Sequence, residues 1–564
     1  MTPPTAAPPV TIRPALYATP AALWLAASAL AWAAGVRFRI IWPMLQLLDR
    51  GELLERPLTA LALLHGQPPG LNALLALLVH AAAALGVAPE VLAAALFAAF
   101  GLASALMLFR LGRAIGGGAA VAATAVALAV ADPGFHVYSA VFFYPLPLYA
   151  LLLASLVCAH RWLGGGGDRW LFGLVLVLGA MVLTRSLYHP LWAVGALALA
   201  VAARARLDGR AALRPRRLAA AAALLALLAA AWPLKNLAVF GEAVNSSWIG
   251  FNLARGTPVR APALGRFIDD GEVAPELARD WAARGYPEWI AEAPLLTAVD
   301  RSAGGRNWNH YAFLLTRRAL TRRALAWRAE HPGAWSELTL AHYAMWTRPT
   351  SIDSYWGTPR GPESALWRGW CRVHSAVAFA DLRPAVERLL PGLGVHRRTR
   401  VWGGEVPYTL FGLVLLPALA VAAGWRWRRR RGTRTAADWT VALAAFHLAW
   451  LLVVPCLTDG VEGNRIRFPA SPALLLLAVY ALRGPGDGPA PCASLPPRSP
   501  AGAAAPATLR SERRACARSP PPTRSRPPPR PPPPPAVACT STAACGSIGP
   551  TGGSGLPSAG APAR

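Results

Sequence analysis

Apolar runs of close to twenty residues recur along most of the chain, and short polar stretches separate them. A run of this length is enough for a helix to cross the hydrocarbon core of a bilayer. The pattern predicts spanning segments at 15–36, 71–88, 91–109, 118–131, 138–160, 170–184, 189–203, 218–240, 406–425, 438–456 and 467–483. We therefore expect an all-α polytopic membrane protein with roughly 10–12 transmembrane helices.

The intervening stretches divide the chain into further regions. Residues 37–70 place leucines at helical spacing among charged residues, which predicts an amphipathic stretch along the membrane interface. The long loop 241–405 has aromatic and apolar residues at helical spacing, so we expect a helical domain outside the membrane. The two ends, 1–14 and the Pro/Arg/Ala-rich tail 485–564, are predicted to be disordered because neither can bury a core.

Arginine blocks set the expected orientation. The loops at 204–217 and 426–434 are rich in arginine and should be cytoplasmic, which places 241–405 on the extracytoplasmic side. Eight apolar segments precede this loop, but an inside N-terminus requires an odd number. We therefore expect either 71–88 or 118–131 not to cross fully. The first segment lacks a convincing cleavage site after it, so it is interpreted as a retained helix and not a signal peptide.

Composition narrows the class further. The formal net charge is +28, but the arginines lie between apolar segments and in the tail, a pattern that needs no nucleic-acid partner. Four of the seven cysteines lie in the tail and the other three show no metal-ligand spacing, so neither a disulfide framework nor zinc is expected. The Ala/Arg/Gly-rich composition suggests a multi-pass protein of a bacterial inner membrane, in contact with membrane lipids.

Lysine and asparagine are distributed unevenly. Lys235 is the sole lysine, and the seven asparagines fall in a few short polar stretches: Asn72, Asn236, Asn245, Asn252, Asn307, Asn309 and Asn464. Exclusion of these residues from apolar helices explains part of the pattern. It does not explain why the arginine-rich loops and the tail contain none. We therefore predict that the polar stretches at 49–72, 235–252, 307–311 and 459–467 meet at one membrane face and form a site.

Three motifs in these stretches resemble a known group of enzymes. The chain reads DRGE at 49–52, HGQPPGLN at 65–72 and EGNRIRFPASP at 462–472. An acidic first outer loop, a His…Pro-Pro entry to the next helix and a late Glu-x-x-Arg-x-Arg-Phe-Pro resemble the GT-C superfamily of integral-membrane glycosyltransferases. Its members include protein O-mannosyltransferases and the aminoarabinose transferases of lipid A. The resemblance covers residues 15 to about 483 through short motifs.

The resemblance implies transfer of a sugar from a polyprenyl-phosphate donor to a lipid, glycan or protein acceptor on the extracytoplasmic side. The acceptor hydroxyl must lose a proton, which calls for a carboxylate. Asp49 is the first candidate because it lies in the first outer loop, and Glu52 is the second. Both could instead complement nearby arginines at the head-group layer.

The departing lipid phosphate needs fixed cations, and Lys235, Arg465 and Arg467 are the candidates. Arginine and lysine at helix ends also reach the interface for reasons unrelated to function. Further candidates for substrate or phosphate binding are His65, Gln67, Asn236, Asn307, Asn309, His310 and Glu462. Arg185 is a further candidate at the end of a span. Glu462 could pair with Arg465 or help to hold a divalent cation, and the metal requirement stays open.

Two other classes remain. A transporter or flippase would show repeated halves and ionisable residues near the bilayer midplane, whereas here the ionisable residues lie towards one face. A polymerase of envelope glycans would share the composition and the large outer loop, but it gives no reason for the early acidic loop.

Overall fold

The computed structural model describes residues 15–350, 364–389, 408–458 and 463–483 of the 564-residue chain. Within these ranges every regular element is a helix, and extended pairing is limited to isolated bridges such as that between Arg39 and Val141. The predicted all-α polytopic membrane fold is confirmed. The calls on 1–14 and 485–564 lie outside the described residues.

The first eleven α-helices supply most of the bundle. In chain order they are α1 (Ala15–Ala33), α2 (Arg50–Glu55), α3 (Pro57–Leu63), α4 (Gly70–Leu85), α5 (Pro89–Ala114), α6 (Ala119–Ala131), α7 (Pro133–Ser139), α8 (Pro145–Leu163), α9 (Arg169–Thr184), α10 (Pro190–Asp208) and α11 (Pro215–Phe240). Many begin with proline, which fits the first turn because the missing N–H has no helical partner there. A 3-10 turn, Arg210–Ala212, precedes α11.

Seven helices follow in the chain: α12 (Ile249–Ala254), α13 (Pro262–Asp270), α14 (Pro275–Ala282), α15 (Glu288–Ala291), α16 (Pro294–Thr297), α17 (Tyr311–Glu330) and α18 (Pro332–Trp346). Helices α12 to α17 share a second apolar core, in which Phe267, Trp308 and Phe313 pack together. Helix α18 packs instead against the last helices of the bundle. These helices lie within 241–405, the range predicted as a helical domain outside the membrane, and parts of that range are outside the described residues.

The last helices are α19 (Ala365–Ala378), α20 (Arg383–Leu389), α21 (Leu416–Arg429), α22 (Ala436–Thr458), α23 (Gly463–Arg467) and α24 (Ser471–Leu482). A π-helical turn, Phe411–Leu415, precedes α21, and a 3-10 turn, Phe468–Ala470, joins α23 to α24. In the sequence, α23 corresponds to the NRIR part of the third motif.

Six helices of the described chain are long and apolar enough to cross a membrane, or seven if the bent pair α6–α7 counts as one span. The six are α5, α8, α10, α11, α22 and the continuous stretch 463–482. Helices α1, α6, α9 and α21 pack alongside these six in the bundle.

The bundle has two distinct ends. We call the end where α6 and α11 finish and α8 begins the site end; the opposite end carries the arginine-rich loops 204–217 and 426–434. Helix α4 has both of its ends near the site end. Gly70, at the start of α4, approaches the Leu183 carbonyl at the end of α9. Helix α5, which follows α4, contacts Phe38 and Phe142 in its first half and ends near Arg483, at the opposite end of the bundle. The segment predicted at 71–88 therefore begins and ends at the site end.

Candidate functional site

A cleft opens at the site end, between the bundle and helices α12 and α17. It contains about 550 Å³ of empty space, part of it open to solvent. Its charged lining consists of Arg185, Arg255 and Arg465. Among the described lining residues there is no aspartate or glutamate, so the cleft is a strongly positive environment.

Three different elements bring these arginines together. Arg185 ends α9 in an extended conformation, Arg255 ends α12, and Arg465 lies in α23. Arg185 and Arg255 are both near enough to Arg465 to repel its charge. Cations clustered in a cleft attract anions through their summed field. The arrangement is therefore typical of an anion-binding site.

Tyr144 completes this wall of the cleft. The Arg185 guanidinium carbon lies 4.1 Å from the centroid of the Tyr144 ring, and that of Arg465 lies 5.6 Å away. The tyrosine is only 1% exposed, and its hydroxyl has no hydrogen-bond partner among the described residues. A buried hydroxyl is normally satisfied. The phenol is thus a donor available to an anion held by the arginines.

Amides and aromatic rings also line the cleft. They belong to Gln67 and Asn252 and to Trp248 and Trp308. Trp248 donates a hydrogen bond from Nε1 to the carbonyl oxygen of Trp308 at 2.8 Å. Gly66 allows this packing, because a Cβ there would lie 2.8 Å from Trp248 Nε1. Rigid rings and amides suit a neutral polar ligand such as a sugar.

A narrower pocket of about 320 Å³ shares Gln67, Trp248 and Trp308 with the cleft and reaches Arg301. Arg301 holds the first predicted base. It donates to Asp49 Oδ1 from Nε at 2.9 Å and from Nη2 at 2.6 Å. The other carboxylate oxygen accepts hydrogen bonds from the backbone N–H and the hydroxyl of Ser302. Asp49 is therefore fully engaged and does not line the cleft.

Glu52, the second candidate for the base, also lies away from the cleft. It forms an ion pair with Arg56 at 3.3 Å, one helical turn later along the chain. This is the head-group pairing that the sequence left open as an alternative. Contrary to the expectation for a catalytic base, neither the Asp49 nor the Glu52 carboxylate lines the cleft.

Lys235 lies away from the cleft as well. Its ammonium donates to the carbonyl oxygens of Ala62 and Leu64 at 2.9 and 2.5 Å, and to Asn236 Oδ1 at 2.6 Å. The Trp232 ring centroid is 3.7 Å from Nζ. All three N–H groups are thus used at the C-terminal end of α3. Asn236 is held in turn by the Val244 carbonyl.

His65 lies next to this lysine and is fully buried. Its Nδ1 and the Ser247 hydroxyl share a hydrogen bond of 2.7 Å. Burial, and then the charge of Lys235, lower the pKa of His65 from 6.5 to about 3. The ring is therefore neutral near pH 7, and it connects the 64–69 loop to the chain before α12.

The predicted sugar-binding residues at 307–310 also connect segments of the fold. Asn309 Oδ1 accepts hydrogen bonds from the backbone N–H groups of His65 and Gly66, and its Nδ2 donates to the Leu63 carbonyl. Asn307 Nδ2 donates to two carbonyls within 295–298. His310 caps α17 by accepting from the Ala312 N–H, and burial lowers its pKa to about 4.

Arg467 and Glu462 complete the predicted set. Arg467 is 3% exposed, donates to the Arg348 carbonyl at 2.9 Å and lies among the rings of Trp346, Phe379 and Phe411. It does not line the cleft. Glu462 lies outside the described residues. No group of three His, Cys, Asp or Glu side chains suited to a metal occurs in the part of the chain that the structure describes.

Of the predicted site residues, the cleft thus brings together Arg465 and Gln67, and Arg185 joins them. Arg255 and Tyr144 carry no distinguishing signal in the sequence, since an arginine in a loop and a tyrosine before an apolar helix are both common. Comparisons with protein-family models, with curated proteins and with solved structures gave no match.

Proposed function

We propose that the protein is a membrane glycosyltransferase that takes a sugar from a polyprenyl-phosphate donor and transfers it to an acceptor on the extracytoplasmic side. The observation that supports this is the cleft lined by Arg185, Arg255, Arg465 and the Tyr144 hydroxyl. It lies at the ends of apolar helices, where a lipid chain can stay in the bilayer while its phosphate reaches the arginines.

The orientation in this proposal follows from the arginine-rich loops. Loops rich in arginine are retained in the cytoplasm. Since 204–217 and 426–434 lie at the end opposite the cleft, the cleft faces outwards. Donors carried on polyprenyl phosphate are used on that side, which agrees with the resemblance of the three motifs to GT-C enzymes.

In the proposed reaction the acceptor oxygen attacks the anomeric carbon as the bond from that carbon to the phosphate oxygen breaks. The acceptor proton goes to a base, and polyprenyl phosphate leaves with one additional negative charge. Arg185, Arg465 and the Tyr144 hydroxyl stabilise that charge, because donors fixed in advance need no reorganisation. Gln67 and Asn252, which also line the cleft, hold the sugar.

Asp49 is the base in this proposal, and it requires one movement. Arg301 must release the carboxylate, to which it donates two hydrogen bonds. The movement would open a route from the acceptor to Asp49.

A second function is favoured by one observation. Among the described residues the cleft carries cations and amides but no carboxylate. The phosphate site would also serve a flippase or transporter of a lipid-linked phosphate, or a polymerase of lipid-linked glycans. None of these functions requires Asp49. The two candidates therefore share the arginines and differ in the carboxylate.

The test uses the full chain in lipid nanodiscs. Arg185→Ala and Arg465→Ala should each weaken binding of polyprenyl phosphate by roughly 10- to 100-fold, as expected for loss of a charge-assisted hydrogen bond. Arg216→Ala, an exposed arginine at the opposite end, is the matched control. Incubation with a mixture of lipid-linked sugars and outer-envelope acceptors then separates transfer from binding. Wild-type affinity in both cleft variants would refute the phosphate site.

A further inference from the structure

Helix α19 (Ala365–Ala378) has three distinct faces. With about 100° between successive residues, Trp367 and His374 lie on one face, which is turned towards the protein. Leu366, Val373 and Val377 share a second face, and their exposed fractions are 48%, 64% and 71%. A third face carries two exposed arginines at positions 368 and 372. A helix with one apolar outer face and one cationic outer face is amphipathic in the way of interfacial helices.

Two hydrogen bonds fix the position of α19. The Ser364 hydroxyl donates to the carbonyl of Ala34, the residue after α1, at 2.6 Å. Trp370 Nε1 donates to the carbonyl of Ala131, the last residue of α6, at 2.8 Å. The helix therefore lies across the ends of two bundle helices, at the site end.

The exposed side chains of α1 next to α19 show whether this part of the protein faces lipid or water. Leu25, Leu30 and Trp32 on α1 are 58%, 44% and 64% exposed, as expected for a helix that faces lipid. The Arg37 guanidinium carbon lies 4.3 Å from the centroid of the Trp32 ring. Tryptophan and arginine together mark the boundary between hydrocarbon and head groups. Helix α19 begins beside Ala34, between Trp32 and Arg37 in sequence, and so lies at this boundary.

We infer that α19 is an interfacial helix whose Leu366, Val373 and Val377 face is buried in the acyl chains of the leaflet at the site end. Three large aliphatic side chains on one helix face form a continuous apolar patch, and such a patch marks a site of contact. Continuity with the lipid-facing side of α1 identifies the bilayer as the contact. Arg368 and Arg372 then lie at the level of the lipid phosphates, where arginine is favoured.

The position also connects the lipid contact to the predicted arginine motif. Phe379 follows α19 directly, and its ring centroid lies 4.8 Å from the Arg467 guanidinium carbon and 5.3 Å from the Phe411 ring. Arg467 is two residues from Arg465 in the cleft. A helix seated on the membrane thus braces the element that supplies a cleft arginine. This inference does not depend on the proposed activity.

Site-directed spin labelling in nanodiscs tests the lipid contact. Nitroxide labels at Val373→Cys and Val377→Cys, in full chains whose native cysteines are replaced by serine, should relax strongly with oxygen and weakly with a water-soluble nickel chelate. Leu30→Cys on α1 is the lipid reference, and Asp280→Cys, exposed on α14, is the water reference. Arg372→Cys should give more nickel accessibility than either valine position.

Two results would overturn the inference. Nickel accessibility at 373 and 377 equal to that at Asp280→Cys would show a water-facing helix, and low accessibility to both reagents would show a covering protein segment. Because cysteine replacement can impair folding, a benzoyl-phenylalanine photo-cross-linker at position 373 of the otherwise native chain provides a second measurement. It should form phospholipid adducts seen by mass spectrometry, whereas cross-links only within the chain would contradict the proposal.

Discussion

Lys235 shows how a single residue type can be selected for structure. Its ammonium meets three acceptors, two carbonyl oxygens at the end of α3 and Asn236 Oδ1, an arrangement that a compact group with three N–H donors satisfies and a planar guanidinium does not. We predict that Lys235→Met lowers the free energy of unfolding by about 2–4 kcal/mol, because buried carbonyls lose a charged partner. Lys235→Arg should recover little of this loss. Thermal unfolding in detergent measures both variants.

The same variants separate structure from phosphate binding. If Lys235 bound the donor phosphate, Lys235→Arg would retain affinity for polyprenyl phosphate and Lys235→Met would lose it with unchanged stability. The structure instead predicts that these substitutions lower stability before they affect the binding of polyprenyl phosphate.

Asp49 and Arg301 give a second residue-scale prediction. Their side chains are 14% and 6% exposed, and Nε and Nη2 of Arg301 both donate to Asp49 Oδ1. As a structural pair, Asp49→Asn and Arg301→Gln should each cost about 3 kcal/mol, and the double variant should cost little more than either, because the contact is lost only once. Thermal unfolding of the three variants measures this coupling.

Transfer activity distinguishes the base from the structural pair. If Asp49 is the base, Asp49→Asn abolishes sugar transfer, whereas Arg301→Gln frees the carboxylate and retains transfer in the fraction of protein that is folded. Equal loss of activity in both variants, in proportion to their loss of folded protein, would remove Asp49 from the mechanism.

The sequence could predict part of this site, for a clear physical reason. Arg465 and Gln67 are polar residues beside apolar segments, and both line the cleft. Lys235 and Asn309 have the same position in the sequence, yet they satisfy backbone groups of segments that are distant in the chain. A cation that binds carbonyls and a cation that binds phosphate look alike in sequence, and only their three-dimensional partners differ.

At the scale of elements, the loop after α3 and the start of α17 form one unit. His65, Asn309 and His310 lie within it, and both histidines are held neutral: burial and the charge of Lys235 lower the pKa of His65 to about 3, and burial lowers that of His310 to about 4. The unfolded chain binds protons below about pH 6.5 while the folded chain does not. The stability that this difference provides is complete above pH 6.5 and is lost as the pH falls towards 4 and 3.

We therefore predict that the thermal unfolding temperature falls steadily between pH 6.5 and 4. Each histidine contributes up to about 1.4 kcal/mol per pH unit in that window. The double variant His65→Gln, His310→Asn should flatten the dependence, and asparagine keeps the cap of α17. An unchanged slope in this variant would show that other groups cause the acid sensitivity.

Helix α4 shows what hydropathy alone leaves open. Most of its sixteen residues are apolar, and 71–88 is one of the two segments that the sequence marks as not crossing fully. Two polar contacts hold it near the site end: Asn72 Oδ1 accepts from the Leu48 N–H, and His80 Nε2 lies 3.0 Å from the Leu53 carbonyl. These partners belong to the stretch before α4. A pattern of apolar residues measures length and hydrophobicity, but it does not reveal which neighbour a helix binds.

For the whole molecule, the all-α membrane fold followed from the period and length of the apolar runs, since a bilayer leaves few alternatives to helices. Length and apolar character alone mark six of the described helices as spans, or seven with the bent pair, while shorter helices such as α9 (Arg169–Thr184) pack beside them. Orientation rests on the arginine loops alone. It therefore needs an experiment that does not depend on the cleft.

Labelling of intact cells with a membrane-impermeant maleimide provides that experiment. Position 280 on α14 and position 210 between α10 and α11 are both exposed, and they lie at opposite ends of the bundle. Because arginine-rich loops remain in the cytoplasm, Asp280→Cys should react in intact cells, whereas Arg210→Cys should react only after permeabilisation. The cysteine-free background controls for native thiols. The inverse pattern would place the cleft on the cytoplasmic face, where a polyprenyl-phosphate sugar would be made instead of used, and the direction of the proposed reaction would then have to be reversed.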